Sequence, residues 1–244
     1  ALIGDKIAIV SDKAQTTRNR IICVYTDEEK QIVFMDTPGV HKPKHKLGEF
    51  MVDAAIESLK ETEAVLFVVA GNEKRGPGDN FIIEQLKRVK VPVFLVVNKI
   101  DTLQKEQVLE AIVSYQDAYP FAGVIPISAK NKENLSELLN VLGEYLPEGP
   151  QYFPEDMITD QPERLIISDI VREKILLSTR DEIPHAIAVD VDEMKTRDDG
   201  TTYIRATIYC ERDSQKGIII GNKGALLRKI GAEARMDIQK LLAT

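Results

Sequence analysis

The stretch Val93-Phe94-Leu95-Val96-Val97-Asn98-Lys99-Ile100-Asp101 decides the fold. Five apolar residues in a row, mostly β-branched or aromatic, then an abrupt change to polar residues, read as a strand buried on both faces. A strand with no polar face belongs inside a parallel sheet, and parallel strands need crossover segments between them. Outward from this run, similar runs occupy residues 32–35, 64–70 and 124–127. Helical patterns lie between them, and Leu135, Leu138, Leu139 and Leu142 fall at intervals that share one helix face. Strands alternating with helices predict an α/β domain with a doubly wound, mostly parallel sheet.

The composition allows such a core. The chain has 244 residues, 43% hydrophobic and 29% charged, which suits one large domain or two ordinary ones. A net charge of −7 argues against a generic nucleic-acid binder. Between Arg212 and Lys240, however, seven Lys or Arg stand against three Asp or Glu. Such a stretch is either a site for a phosphate backbone or a solvated helix face. Cys23 and Cys210 lie far apart and form no CxxC pair. A disulfide framework or zinc site is therefore not expected, and a reducing cytoplasm fits. No run of about 18 apolar residues occurs, so no membrane span is expected. Ala1-Leu2-Ile3-Gly4 is not a signal peptide and reads as the tail of an interrupted helix.

The pattern breaks at Leu146-Pro147-Glu148-Gly149-Pro150 and again at Phe153-Pro154, as expected of an interdomain linker. The division expected is a first domain over 1–148, a linker over 149–160 and a second domain over 161–244. In the second, a helix is predicted over Glu163–Ser178 and strands over 186–191 and Thr202–Cys210. The turn between the strands carries Asp198-Asp199-Gly200. An apolar run over 217–220 leads into Gly221-Asn222-Lys223-Gly224. A last helix then places Leu226, Leu227, Ile230, Ala234, Ile238 and Leu241 on one side. That order describes a small α+β domain.

Asn98-Lys99-Ile100-Asp101 puts the spacing N-K-x-D at the carboxyl end of a buried strand. An Asp there can accept two hydrogen bonds from the guanine edge, one from the ring N–H and one from the exocyclic amine. Adenine offers no such pair, and a buried carboxylate left unpaired discriminates by roughly 10⁴-fold. Asn98 and Lys99 would brace the loop and pack on the base. Ser128-Ala129-Lys130 follows the next run, where the Ala129 N–H can meet the guanine carbonyl; in isolation the tripeptide is only an N-cap signal. Asp36-Thr37-Pro38-Gly39 gives D-x-x-G, with Asp36 holding Mg²⁺ through water and Gly39 letting its N–H approach a γ-phosphate. The bland reading of this tetrapeptide is a turn. In Gln15-Thr16-Thr17-Arg18, the Thr17 hydroxyl can ligate Mg²⁺ only when a γ-phosphate is present. The four pieces come in order at strand ends or in loops, where ligands bind in such sheets.

Over its first 150 residues the chain resembles the Era family of translation-factor-class GTPases. The resemblance rests on Ser11-Asp12-Lys13-Ala14-Gln15-Thr16-Thr17-Arg18-Asn19-Arg20 and on Asp36-Thr37-Pro38-Gly39-Val40-His41-Lys42-Pro43, which are similar to that family's switch regions. It implies a P-loop-type GTPase domain that binds GTP, GDP and Mg²⁺. In it Thr17, Asp36 and Gly39 serve hydrolysis, and Thr17 and Asp36 the metal. Asn98, Lys99, Asp101, Ser128, Ala129 and Lys130 serve the nucleotide. The family's phosphate cradle G-x-x-x-x-G-K-[ST] is absent from this sequence. In the family it precedes the helix that residues 1–4 would end, so the expectation is a truncated chain, with a natural pseudo-GTPase as the rival. Val40 stands where Ras-like enzymes carry a water-orienting Gln. An apolar side chain cannot orient water, and slow intrinsic hydrolysis is implied.

Gly221-Asn222-Lys223-Gly224 is a G-x-x-G loop between an apolar run and a basic helix. KH domains clamp a nucleic-acid backbone with such loops, although a lone G-x-x-G is more often an ordinary turn. Asp181-Glu182-Ile183-Pro184-His185 and Glu211-Arg212-Asp213-Ser214-Gln215-Lys216-Gly217 resemble the C-terminal KH domain of the same family. The resemblance implies a type II KH domain contacting RNA through Gly221, Asn222, Lys223, Gly224, Arg228 and Lys229. It further implies binding near the 3′ end of small-subunit ribosomal RNA, help in 30S subunit maturation, and a cytoplasmic protein with peripheral association at the inner membrane face. The sequence stops at Thr244, before the family's last strand. A nucleotide-incompetent RNA-binding scaffold and a signalling GTPase with a protein-binding KH-like domain are the alternatives. His41, His45 and His185 make no metal or triad set, and Lys42, Lys44 and Lys46 read as a solvated basic loop.

Overall fold

The computed structural model describes residues 1–4, 7–9, 20–38, 52, 55–57, 59–179, 183 and 186–242. Thr17, Gly39, Val40, the three histidines and Lys42, Lys44 and Lys46 lie outside the described residues.

The run beginning at Val93 is the middle of a three-stranded parallel sheet. Strand β4 (Val93–Asn98) lies between β3 (Val65–Ala70) and β5 (Gly123–Pro126), with Ala70 opposite Asn98 and Val97 opposite Pro126. Every residue from Val93 to Val97 is buried, as a strand covered on both faces must be. Alternate side chains feed two cores. Phe94 and Val96 pack with Ile125, Ile127 and four leucines of helix α3 (Leu135–Gly143). Leu95 and Val97 pack with Phe67 and Val69 of β3, with Ile83 and Leu86 of α1 (Pro77–Leu86), and with Tyr115 of α2 (Lys105–Gln116). Each fully buried side chain of this size contributes about 1.5–3 kcal/mol, so both helical layers are held by the same strand.

One expectation is corrected here. Residues 32–35 read as a parallel strand, yet β2 (Gln31–Asp36) pairs antiparallel with β1 (Ile21–Thr26), from Ile21 opposite Asp36 to Thr26 opposite Gln31. Residues 21–26 are not among the apolar runs read as strands, although Cys23 within them suits an apolar strand position. An apolar run reports burial but not direction; direction comes from the turn. Asp27 Oδ1 accepts hydrogen bonds from the Glu29 and Lys30 N–H groups, both at 2.9 Å, and the Asp27 N–H donates to the Lys30 carbonyl at 3.0 Å. That Asx-type turn closes a hairpin. Ile32 of β2 joins the Phe94 core, so hairpin and parallel sheet share one hydrophobic layer.

The chain divides into two compact units. The first holds the described residues of 1–5 and 18–159, the second those of 6–17 and 160–244. The second contains α4 (Glu163–Ser178), β6 (Ile187–Thr196), β7 (Thr202–Cys210), α5 (Asp213–Ile220) and α6 (Ala225–Leu242). Strands β6 and β7 pair antiparallel, and β6 continues past the expected end at residue 191 to Thr196. A register shift between Val191 and Glu193 breaks the alternation there, which is why the pattern stopped early. The tip is closed by Asp199, whose Oδ1 accepts from the Thr201 N–H at 2.9 Å and its hydroxyl at 2.6 Å, with Gly200 at φ +83°. Ile175, Ile183, Ile187, Ile219 and Ile230 form the core, and Ile166 and Ile170 of α4 pack with Ala234 of α6. Cys23 on β1 and Cys210 on β7 are not joined in a disulfide. Among the described residues no helix is long and apolar enough to cross a membrane.

Candidate nucleotide and nucleic-acid sites

The carboxyl end of β4 is built as a hydrogen-bonded knot. Lys99 takes a left-handed conformation, φ 66° and ψ 30°, and starts the short 3₁₀ turn Ile100–Thr102. Asn98 Oδ1 accepts from the Lys99 N–H at 2.7 Å and from the Ala129 N–H at 3.0 Å. Ser128, with no exposed surface, donates through Oγ to Asp101 Oδ1 at 2.6 Å and accepts from the Asn131 N–H at 3.0 Å. Its backbone pairs with Glu133 in both directions. The sheet sets these groups in reach of one another, because the Ile127 N–H donates to the Val97 carbonyl at 2.8 Å and the Ile100 N–H to the Ile127 carbonyl at 3.3 Å.

Asn98, Asp101, Ser128 and Ala129 are therefore brought together from two loops. Lys99 and Lys130 are exposed at the rim, and Lys99 Nζ lies 3.6 Å from Glu73 Oε1. One oxygen of Asp101 is pinned by a buried hydroxyl in the short range of charge-assisted bonds. The result is a fixed, partly exposed carboxylate that suits a ligand offering two parallel N–H donors. The Ala129 N–H, read from sequence as a donor to the base, here braces Asn98. Sequence reasoning missed two contributors. Gly71 donates its N–H to the Asn98 carbonyl at 2.8 Å, and a Cβ there would lie 2.9 Å from Val97 Cγ1. Asn134 Nδ2 caps the Pro126 carbonyl at 2.8 Å. The signal for Gly71 was a glycine directly after a buried strand, where backbone approaches backbone; Asn134 left none.

Asp36 ends β2, half-buried, and is followed by the buried Pro38. Of the residues assigned to metal and hydrolysis it alone falls among the described ones. No group of three or more His, Cys, Asp or Glu suited to a metal occurs among the described residues.

In the second unit, α5 ends at Ile220 and the chain turns through Gly221 at φ 71°, Lys223 at φ 48° and Gly224 at φ 76°. Three left-handed residues in four make a tight exposed loop. A Cβ on Gly221 would lie 2.7 Å from Leu226 Cβ, whereas one on Gly224 meets nothing within 4 Å. Gly221 is thus required for packing as well as for any close approach. Asn222, Lys223, Arg228 and Lys229 are exposed. Arg228 Nη2 donates to the Lys223 carbonyl at 2.9 Å and holds the loop, while Lys229 Nζ is 3.8 Å from Glu233. Apolar residues flank the loop: Ile218 and Ile220 before it and Leu227 after it are 53%, 37% and 39% exposed. A cationic turn beside exposed apolar side chains can take a phosphate backbone and unstacked bases together.

Comparison with known proteins agrees in both units. Residues 1–99 match the family model described as 50S ribosome-binding GTPase, and residues 182–244 match the KH domain model. A crystal structure of Era in complex with MgGDPNP and nucleotides 1506–1542 of 16S ribosomal RNA is 41% identical, with a TM-score of 0.94 over 100% of this chain and 83% of that one. An Aquifex aeolicus Era variant bound to GDP·AlF4⁻ is also 41% identical, with a TM-score of 0.94 over 99% of this chain and 83% of that one.

Proposed function

The chain belongs to the Era family of GTPases with a KH domain, and on that premise we propose that it binds and hydrolyses GTP and holds small-subunit ribosomal RNA near its 3′ end during 30S maturation. The knot between β4 and β5 carries the reading: Ser128 aims Asp101, and Asn98 ties the two loops together. In it Asp101 reads the guanine edge, Asn98, Ser128 and Ala129 hold the frame, and Lys99 and Lys130 lie against the base. Thr17 and Asp36 serve Mg²⁺ and Gly39 the γ-phosphate. Mg²⁺ would neutralise charge developing on the phosphates, and the related Era structure holds MgGDPNP. No residue of this sequence is assigned to the phosphate cradle.

The RNA side is Gly221, Asn222, Lys223 and Gly224, with Arg228 and Lys229 beyond. Supporting it are the loop geometry and the 16S RNA nucleotides in the related Era complex. The domain limits proposed are 1–148 for the nucleotide domain, 149–160 for the linker and 161–244 for the KH domain. A ribosomal partner places the protein in the cytoplasm, with any membrane association peripheral, at the inner face.

Asp101→Asn in the full-length protein is the test. The amide presents a donor where guanine also donates, so guanosine nucleotides should weaken by at least roughly 100-fold while xanthosine nucleotides gain. Unchanged guanosine preference in competition titrations refutes the base-reading role. A wild type that binds RNA but no nucleotide would instead favour the reading of a nucleotide-incompetent RNA-binding scaffold.

A further inference from the structure

The segment between the two units has the composition of a loose tether, with Pro147, Gly149, Pro150 and Pro154. In the structure it is hydrogen-bonded along the β1–β2 hairpin of the first unit. Gln31, the first residue of β2, uses its whole carboxamide for this. Its Oε1 accepts from the Tyr152 N–H at 3.0 Å and the Phe153 N–H at 2.9 Å. Its Nε2 donates to the Phe153 carbonyl at 2.9 Å and to Thr26 Oγ1 at 3.0 Å. Farther on, the Val24 N–H donates to the Ile158 carbonyl at 2.9 Å, the Thr159 hydroxyl donates to the Ile22 carbonyl at 2.7 Å, and Cys23 and Thr159 form an antiparallel bridge. Tyr152 is 79% exposed, so packing of its own ring does not fix this stretch.

We propose that residues 152–159 are a strap fastened along the β1 edge of the nucleotide-binding unit, locked at one end by Gln31 and bridged at the other through Thr159, and that this lock tightens when Mg²⁺ and a triphosphate engage Asp36. The second half rests on the reading of Asp36 given above; the first does not. Gln31 and Asp36 are the two ends of one six-residue strand, roughly 17 Å apart at about 3.4 Å per residue. Pairing with β1 is continuous from one end to the other, with no bulge to absorb a displacement. The hairpin packs on the Phe94 core through Ile32, and its two strands hold each other in register along their whole length. Fixing one end therefore lowers the fraying of the other, and the segment at 152–159 depends on β1 and Gln31 both being in place. The segment in turn covers a β1 edge that would otherwise present unpaired backbone groups.

The test is amide hydrogen exchange on the full-length protein with Mg²⁺ and either GDP or a non-hydrolysable GTP analogue. In the wild type, peptides holding Tyr152, Phe153 and Val24 should exchange several-fold more slowly with the analogue than with GDP. Gln31→Ala should speed their exchange by about tenfold or more, abolish the difference between nucleotides, and leave GDP affinity within about twofold, since Gln31 touches no nucleotide residue. Gln31→Glu keeps the acceptor but loses both donated bonds, and should fall between. Asp36→Asn should remove the difference between nucleotides without the general acceleration. Wild-type exchange at 152–159 that ignores the nucleotide overturns the coupling. Exchange in nucleotide-free Gln31→Ala equal to wild type overturns the lock itself, whether or not the protein binds nucleotide. Failure to bind nucleotide at all counts against the proposed function instead.

Discussion

Removing one oxygen atom at Ser128 tests how the base-reading carboxylate is aimed. In Ser128→Ala, Asp101 loses a 2.6 Å charge-assisted bond and the Asn131 N–H loses its acceptor. Bonds to charged groups are worth about 1.5–3 kcal/mol, and an ordinary hydrogen bond such as that of the exposed Asn131 contributes about 0.5–1.5 kcal/mol. The second loss falls alike on free and nucleotide-bound protein, so it lowers Tm and not affinity. The first enters affinity through Asp101, which must now be immobilised by the ligand. Ordering a freed side chain costs about 0.5–1.5 kcal/mol, and about 1.4 kcal/mol is tenfold, so the GDP Kd should rise roughly 2–12-fold. Most of that rise should appear in the off-rate. Titration and displacement of a fluorescent GDP on the full-length protein measure both. A double-mutant cycle with Asp101→Asn isolates the pair, because once Asp101 no longer reads the base the Ser128 change should cost less than half as much. A Ser128→Ala protein with lowered Tm and a GDP Kd within twofold of wild type would show that Ser128 only caps the turn before α3.

In the KH loop, Gly221→Ala should destabilise the second unit by about 2–4 kcal/mol through left-handed strain and the clash with Leu226, and Gly224→Ala by about 1–2 kcal/mol through strain alone. Denaturant unfolding that finds the two equal refutes the distinction. Gly224→Asp is therefore the cleaner probe of RNA binding, expected to weaken it more than about tenfold with the second unit folded, and wild-type affinity should fall with salt at about −0.7 per neutralised phosphate on single strands. Lys174 Nζ contacts Asp237 Oδ2 at 2.5 Å and Glu173 Oε1 at 3.3 Å, and Lys174→Met should cost about 1–3 kcal/mol by removing the charged donor that faces both carboxylates, read by thermal unfolding. Burial pulls the Lys174 ammonium down, but its bonds to Asp237 and Glu173 outweigh burial and hold it above the ordinary 10.5. The contribution is then complete below pH 10.5 and lost as pH rises past the raised value, so wild type and Lys174→Met should converge in strong alkali. Asp27 is held below its ordinary 3.8, first by the Glu29 N–H and further by the Lys30 N–H, against a smaller opposing push from burial. Its support of the β1–β2 turn is present above pH 3.8 and lost as pH falls through the depressed value; amide exchange at Glu29 and Lys30 should speed up there, and Asp27→Asn should remove the pH dependence.

The sequence by itself determined the local and chemical side of this protein. Val93–Val97 has no polar residue to face water, so it had to lie in the middle of a sheet. The periodicity of Ile166, Ile167 and Ile170 placed α4 at Glu163–Ser178, where it is found. The residues around Asn98 and Asp101 could be picked out because their side chains must project from a strand end and cannot be exchanged for others of equal size without losing donors or acceptors. Burial and donor count are properties of single residues and short windows, and a sequence displays them. Pairing is different: it joins residues whose separation along the chain says nothing about their distance. That Asn98 would hold the Ala129 N–H, that residues 21–26 would return antiparallel beside 31–36, and that Gln31 would fasten a segment more than a hundred residues away were decided only when the sheet brought those backbones together. Each of these contacts uses a backbone N–H or C=O, which every residue but proline carries alike, and so no residue type announced them in advance.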